Sequence, residues 1–240
     1  MKMYLNAYRI FGEDNSILTP ADLKEARDKY SLRRSDRFTA MAVAAVTKLM
    51  GDQFPDKYAA ETGLITATAF GPHRTTFATL DDILDYPEDL ILPTRFSHSV
   101  HNAAASYIGV VLGLKRITFA LAGFEDIWFE ALELAENMMM AGFCRQIMVI
   151  GIEESGLLTE NAPQLWKERF SEPPREAVCV FLLSKDPECG HHGELRLDKS
   201  EIQSEQLFTF GLYRQFLDSL ANTTPETVSV LHKLPCWKFI

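Results

Sequence analysis

Residues 117–126 of the chain read ITFALAGFED, an apolar run that ends in a glycine, a phenylalanine and two acids. The apolar part predicts a short strand over Ile117–Ala120, and Gly123 predicts a tight turn into a long helix over Glu125–Met140. A second apolar run, Gln146–Ile152, follows that helix and predicts a buried strand. Strand, turn, helix and strand in this order are typical of α/β proteins, in which helices cover a sheet.

The alternation of strands and helices continues on both sides of this unit. Further strands are predicted at Tyr4–Phe11, Gly63–Phe70 and Ala177–Ser184, and Glu194–Leu197 is expected to pair with the last of these. Helices are predicted after Thr19 and over Phe38–Met50, Thr75–Leu84, Val100–Leu112 and Ser204–Leu220, with a loop at 93–99 and a polar connection at 153–175. We therefore expect an α/β fold with a mixed, mostly parallel sheet and helices on both faces.

The composition is that of an ordinary soluble globular protein. The chain has 240 residues, of which 47% are apolar and 24% charged, so one well-packed domain is the simplest expectation. Its formal net charge of −9 disfavours a nucleic-acid partner, because backbone phosphates need a basic face. Four cysteines at irregular spacing indicate reduced thiols rather than a disulfide framework.

No segment of the sequence predicts export or a membrane span. The first three residues lead directly into the alternating run of the first strand, which is unlike a signal peptide. The longest apolar stretch, residues 107–124, is interrupted by Lys115 and Arg116 and is therefore unsuited to crossing a bilayer. We expect a cytoplasmic protein.

Common catalytic and metal-binding motifs are absent. The glycines occur singly, so there is no phosphate-binding loop, and no Gly-x-Ser-x-Gly motif is present. Cys189–Glu194 is the only local cluster of metal-ligand residue types, but adjacent ligands in one turn are strained for a tetrahedral site. We read this cluster as a polar turn and expect neither a metal nor a cofactor.

Residues 96–105 read FSHSVHNAAA and open a helix of small residues. Together with Ala122-Gly123, Glu125-Asp126 and the run SDRF at 35–38, they resemble the N-terminal half of a β-ketoacyl synthase, in the thiolase superfamily. More narrowly, they resemble the chain-length-factor proteins of aryl polyene-type type II polyketide and fatty-acid pathways. The resemblance covers about residues 1–200 and implies a thiolase-like half-fold there. Residues 201–240 are then a C-terminal helix and tail that pack on this half or on a partner.

The resemblance implies that the nucleophilic cysteine of a ketosynthase would lie in the turn between the strand and the long helix. Counting from both flanking motifs places that position at Glu125, next to Asp126, and no cysteine lies between Gly123 and Ile127. Cys144 is at the far end of the helix, roughly 28 Å away at 1.5 Å per residue. The resemblance also places two catalytic histidines in a second half for which 240 residues leave no room. We therefore expect no ketosynthase catalysis by the chain itself.

The role implied by the resemblance is that of a non-catalytic subunit paired with an active β-ketoacyl synthase, and with acyl carrier protein through that complex. The strand Ile117, Thr118, Phe119, Ala120 would pair with its counterpart in the partner, and Phe70, Arg95, Phe96, His98 and Asn102 are candidates for lining or gating the acyl tunnel. A heterodimer is expected, or a homo-oligomer if the chain is isolated. Phe70 reads equally well as an ordinary core residue, and Glu125 and Asp126 as helix caps.

Two other functions stay open at this point. One is a free-standing acyl-thioester enzyme, a thioesterase or decarboxylase, that uses Glu125 with His98 or His101. The other is a module that binds acyl carrier protein. In any of these cases a half-fold leaves the helices Phe38–Met50 and Glu125–Met140 in need of an apolar cover from the tail or from a partner.

Overall fold

Six strands form one mixed sheet at the centre of the molecule. The computed structural model describes residues 3–12, 17–32, 34–51, 56–91, 93–123, 127–165, 175–186, 192–195 and 197. The strands are β1 (Met3–Phe11), β2 (Thr62–Thr68), β3 (Thr118–Ala122), β4 (Gln146–Glu153), β5 (Ala177–Ser184) and β6 (Glu194–Leu195). They lie in the order β3-β2-β4-β5-β1-β6, so β3 is an edge strand.

Helices connect the strands and cover both faces of the sheet. They are α1 (Pro20–Lys29), α2 (Arg37–Met50), α3 (Asp56–Ala59), α4 (His73–Asp85), α5 (Pro93–His98), α6 (Ala103–Val111), α7 (Ile127–Met140) and α8 (Leu157–Leu165), with a 3-10 turn at Glu88–Leu90. The expected α/β fold with helices on both faces is confirmed.

The sheet is mixed as expected, and four of its six strands, β1 to β4, point in the same direction. β2 is parallel to β3 and to β4, whereas the pairs β4–β5, β5–β1 and β1–β6 are antiparallel. Glu153 at the end of β4 lies opposite Ala177 at the start of β5, so this connection leaves and re-enters the sheet at one edge. Every residue of β5 is buried because the strand is central, and that apolar run resembles a parallel strand in sequence.

Several element boundaries also differ from the sequence expectation. Residues 93–98 form the short helix α5 rather than a loop, and α6 begins at Ala103 rather than at Val100. Helix α8 lies within the segment expected to be only a polar connection, where Leu158 and Ala162 provide its apolar contacts. β6 pairs with β1 and not with β5.

Two apolar clusters lie on the two faces of the sheet. On one face α2 is buried along almost its whole length, beneath α1 and α6. Asp36 caps this helix by accepting a hydrogen bond from the Thr39 N–H at 2.9 Å. On the other face α7 packs Trp128 edge-on against Phe181 of β5.

The sequence predicts that α2 and α7 need an apolar cover from the tail or from a partner. The described surfaces of these two helices do not need one. α2 already has α1 and α6 upon it, and the exposed positions of α7 are Glu130, Asn137 and Met140. The predicted helix at 204–220, the tail at 201–240 and Cys236 lie outside the described residues. Across the part of the chain that the structure describes, no helix is long and apolar enough to cross a membrane.

Candidate functional site at the carboxyl edge of the sheet

The turn Thr68–Gly71 at the end of β2 joins three parts of the fold. The Gly123 N–H at the end of β3 donates to the Thr68 carbonyl at 3.2 Å, and the Gly71 N–H donates to Thr68 Oγ1 at 2.8 Å. Gly71 has a φ of +62°, and a Cβ there would lie 2.5 Å from Cδ2 of His101. Only glycine allows this backbone conformation and this approach without strain, so the His101 ring is seated directly on the turn.

A buried carboxyl group holds the same turn from the side of β4. Glu153 is the last residue of β4, and it accepts hydrogen bonds from Thr68 Oγ1 at 3.2 Å, from the Phe70 N–H at 3.3 Å and from the Ala69 N–H. Its complete burial raises the pKa of Glu153 to about 8, against the lowering effect of these three donors. The turn that carries Phe70 is therefore built around one desolvated carboxyl group.

Glu154 forms a second buried acid beside the first. It accepts a hydrogen bond from the Arg74 N–H at 3.0 Å, and its Oε1 lies 3.9 Å from Nδ1 of His73. Burial raises the pKa of Glu154 to about 7 and lowers the pKa of His73, so desolvation favours the uncharged form of both groups. Oε2 of Glu154 and Nε2 of His73 are buried and have no hydrogen-bond partner among the described residues.

Glu176, just before β5, completes a polar layer at this edge. Two guanidinium N–H groups of Arg37 donate to its carboxylate, one of them to Oε1 at 2.7 Å, and the Ser155 N–H donates to Oε2 at 3.0 Å. Burial acts to raise the pKa of Glu176, but the hydrogen bonds from Arg37 outweigh it and hold this pKa below its ordinary value. The pair ties the start of α2 to the segment between β4 and α8.

The candidate tunnel residues Phe70, Arg95 and Phe96 have different surroundings. Phe70 is buried on Leu158 and Ala162 of α8, and its ring lies edge-on to that of His73 with centroids 6.3 Å apart. Arg95 forms an ion pair with Asp82 of α4 at 2.5 Å. Phe96, on the next residue of α5, is exposed.

His98 and Asn102 lie at the two ends of the turn between α5 and α6. His98 is buried with its ring 5.4 Å from that of Tyr107, whose hydroxyl is 3.4 Å from Nε2 of His98. Asn102 is exposed at the start of α6, and its carbonyl accepts a hydrogen bond from the Ser106 hydroxyl at 3.0 Å. Of the residues singled out in the sequence, two lie at the turn after β2. Phe70 is part of that turn, and the His101 ring lies against Gly71 of the same turn.

The junction between β3 and α7 begins at Gly123 and ends at Ile127. Glu125 and Asp126 are within it and lie outside the described residues, as do Cys189 to His191. The two described thiols are poorly placed to act as nucleophiles, because burial raises the pKa of Cys144 and of Cys179. Cys144 also follows the carboxyl end of α7, at the opposite end of the helix from the junction.

β3 has one free edge among the described residues. The Ile117 carbonyl accepts from the Leu64 N–H at 3.1 Å, and the Gly123 N–H donates to Thr68, so the odd-numbered residues between them face β2. Because backbone groups alternate along a parallel strand, the N–H and C=O groups of Thr118, Ala120 and Ala122 point away from the sheet. This edge can accept one more strand.

Sequence reasoning missed the polar groups that organise the site. They are the buried His73, Glu153 and Glu154 and the half-buried Arg37 and Glu176. Two adjacent acids directly after an apolar strand were a usable signal, because the carboxyl ends of parallel strands form the ligand-binding edge of many α/β folds. Within the described ranges, no three His, Cys, Asp or Glu side chains are grouped to hold a metal ion. His192 is buried edge-on to Tyr8, with ring centroids 5.0 Å apart.

The mixed sheet with helices on both faces is an α/β fold that this chain shares with solved structures of ketosynthases. A structure described as the ishigamide ketosynthase/chain length factor matches with a TM-score of 0.62 at 14% identity, covering 77% of this chain and 62% of that one. A ketosynthase in complex with its chain length factor from Xenorhabdus doucetiae matches with a TM-score of 0.57 at 14% identity, covering 78% and 80%. A type II polyketide acyl carrier protein in complex with its ketosynthase matches with a TM-score of 0.56 at 13% identity, covering 76% and 62%.

The sequence itself identifies the family. The family model for the N-terminal domain of β-ketoacyl synthases matches residues 28–236, and the chain belongs to this family. No curated protein matches the chain. The chain spans less than two thirds of the length of the first of the solved structures, 62%.

Proposed function

We propose that this chain is a non-catalytic, chain-length-factor-like subunit that pairs with an active β-ketoacyl synthase and shapes its acyl tunnel. The observation that carries the proposal is the junction between β3 and α7. In the family resemblance this junction holds the nucleophilic cysteine, whereas residues 123–127 here read GFEDI. A helix N-terminus and its N–H groups can stabilise a thiolate, but a glutamate in that position offers no nucleophile of comparable reactivity.

The free edge of β3 supports pairing with a ketosynthase. Thr118 and Phe119 are exposed, and the outward N–H and C=O groups of the strand have no partner among the described residues. An exposed edge strand is a liability unless another chain covers it. Pairing of Ile117–Ala120 with the equivalent strand of a ketosynthase would complete one sheet across the two subunits.

The turn after β2 supports a role in setting the shape of the tunnel. Phe70 sits in a turn whose N–H groups donate to Glu153, and the His101 ring lies against Gly71 of the same turn. A bulky side chain on a rigid turn limits the room for a growing acyl chain, because overpacking costs about 1–3 kcal/mol. Arg95 and Phe96 would extend this limit toward the partner, and the exposed Phe96 is free to do so.

The finer parts of the proposal follow from the family resemblance. The complex would be a heterodimer in the cytoplasm, would meet acyl carrier protein through the ketosynthase, and would serve an aryl polyene-type polyketide or fatty-acid pathway. Glu125 would act as a polar plug at the lost nucleophile position, with Asp126 beside it. Residues 1–200 would form the ketosynthase-like half, and residues 201–240 would pack on it or on the partner.

Co-expression with a ketosynthase encoded beside this chain tests the proposal. We expect one co-purifying complex whose product is longer or shorter than that of the ketosynthase alone. Phe70→Leu should lengthen the product, and Phe181→Leu is the matched control, because Phe181 is fully buried in the sheet core away from the turn. Purification as two unassociated proteins would refute the pairing, and equal product lengths in the two variants would refute the role of Phe70.

A free-standing acyl-thioester enzyme is the second candidate function. The observation in its favour is that His101 lies on the turn bonded to Gly123, two residues before Glu125. Turnover of an acyl thioester by the chain alone, abolished by Glu125→Gln and reduced by His101→Gln, would support it. The absence of turnover in the isolated chain would leave the subunit role as the better explanation.

A further inference from the structure

Helix α4 presents its apolar stripe to solvent. Leu80 and Ile83 are each 48% exposed and Leu84 is 82% exposed, and residues three and four apart lie side by side on a helix. The buried residues of the same helix are His73 and Thr79. A surface helix of a globular protein ordinarily turns its apolar face toward the core, whereas α4 turns this part of its apolar face toward solvent.

The apolar surface continues through the turn that follows α4 and onto α5. Tyr86, Leu90 and Phe96 are all more than half exposed, and α5 packs beside α4 through the ion pair of Arg95 with Asp82. We call the six side chains of Leu80, Ile83, Leu84, Tyr86, Leu90 and Phe96 the α4–α5 surface. Single exposed apolar residues are common, but six of them on two helices in contact and the turn between them are typical of an interaction site.

Acidic side chains surround the α4–α5 surface. Asp81, Asp85, Glu88 and Asp89 are exposed, and none of them forms an ion pair within the described residues. Residues 80–96 contain five acids and one arginine, which is already paired with Asp82. The surface therefore combines an apolar centre with a strongly negative rim.

This charge pattern narrows the choice of partner. A second copy of the chain would place two negative rims against each other, and like charges in an interface cost several kcal/mol. Residues 201–240 of the same chain carry four acids and three bases, so their net charge has the same sign as the rim and does not complement it. The remaining match is a different protein with an apolar patch inside a rim of lysine or arginine.

We propose that the α4–α5 surface docks on a basic-rimmed apolar patch of the ketosynthase subunit, and that its negative rim selects this partner over a second copy of the chain. The inference rests on the proposed pairing with a ketosynthase. It adds a second contact to the edge of β3, whose backbone groups pair with any extended strand and carry little selectivity. Attraction to the right partner and repulsion of the wrong one together produce specificity.

Paired surface variants of the full chain test the inference, with the co-purifying ketosynthase as the probe. Leu80→Ser with Leu84→Ser should weaken the complex at least tenfold, as should Asp85→Lys with Glu88→Lys, and the charge variant should also flatten the salt dependence of Kd. The matched controls carry exposed residues of other surfaces, Met140→Ser with Phe143→Ser and Glu25→Lys with Asp28→Lys. Both controls should stay within twofold of the wild type.

Hydrogen exchange of the wild-type chain gives a second readout that does not depend on variants. Binding of the ketosynthase should slow exchange in residues 80–90 and 93–96, most of which are exposed in the free chain. Each other result overturns the inference in a distinguishable way. A complex that forms but is insensitive to both variant pairs leaves the pairing intact and refutes this docking surface. A chain that binds no ketosynthase refutes both, and a homodimer that dissociates on substitution of Leu80 and Leu84 shows that a second copy is the occupant.

Discussion

Replacement of the buried Glu153 by glutamine should make the protein less sensitive to alkaline pH. Burial raises the pKa of Glu153 to about 8 from an unfolded value of 4.5. The folded state therefore binds a proton that the unfolded state has released, and stability falls as the pH rises from about 4.5 through about 8. At about 1.4 kcal/mol per pH unit, this carboxyl costs about 1 kcal/mol at pH 5.5 and about 5 kcal/mol above pH 8.

Glutamine removes this titration but disturbs one hydrogen bond. Its carbonyl can keep the Thr68 hydroxyl and the Ala69 N–H, whereas its amide group would face the Phe70 N–H, at a cost of about 1–2 kcal/mol. The two effects nearly cancel at pH 5.5. At pH 8.5 we expect the variant to be more stable than the wild type by about 3 kcal/mol.

Urea unfolding at pH 5.5 and pH 8.5 measures this difference, with the fluorescence of the buried Trp128 as the signal. Glu154 is present in both proteins, so its own titration contributes to both curves. Glu130→Gln on the exposed face of α7 is the control and should follow the wild type at both pH values. If the wild type and Glu153→Gln lose stability equally between the two pH values, the raised pKa of Glu153 is refuted.

Three further predictions follow from single contacts. Ala120→Pro removes an outward N–H from the edge of β3 but leaves the hydrogen bonds between β3 and β2 in place. It should therefore weaken the ketosynthase complex about tenfold, and the unfolding curve of the free chain should stay unchanged. Gly71→Ala should lower the unfolding free energy by about 1–2 kcal/mol, because alanine is strained at positive φ and the exposed His101 ring must also move away from the methyl group, whereas Gly142→Ala, at positive φ in open space, should lose about 1 kcal/mol. Glu176→Gln should cost about 1–2 kcal/mol near pH 7, and because the folded pKa of this carboxyl is lowered, the loss should shrink as the pH falls below 4.5; an equal loss at pH 4 and pH 7 would contradict the ion pair.

Local patterns were sufficient to predict most of the elements. β5 matches its predicted range, and α2 begins one residue before its predicted start, because continuous apolar runs and a capping Asp36 are local signals. The orientation of β5 could not be predicted from the sequence, because a strand buried on both faces has the same composition whether its neighbour runs parallel or antiparallel. α5 was taken for a loop because its stability comes from Arg95 binding Asp82 thirteen residues earlier, a contact between helices.

Only the part of the site that lies within one short segment of the sequence could be predicted. The junction at residues 123–127 is one short segment, so its lack of a cysteine is evident from the letters alone. The role of Glu153 depends on the Thr68–Phe70 turn more than eighty residues away, and only the parallel pairing of β2 with β4 brings the two together. The position of Glu153 after an apolar run indicates the edge of the sheet, but its burial depends on strands that lie elsewhere in the chain.

The hydrogen bonds of the two buried acids support the proposed shaping role. A buried acid is costly unless it is well paired, and the described residues hold two of them, Glu153 and Glu154, at the end of β4. Glu153 accepts hydrogen bonds from the backbone of the turn that carries Phe70, and Glu154 accepts one from the Arg74 N–H in the first turn of α4. Neither arrangement activates a nucleophile; both fix the position of the backbone. A chain that lacks the cysteine yet retains these costly contacts would preserve the form of the acyl site, and a non-catalytic subunit that sets the boundary of its partner's tunnel requires that form.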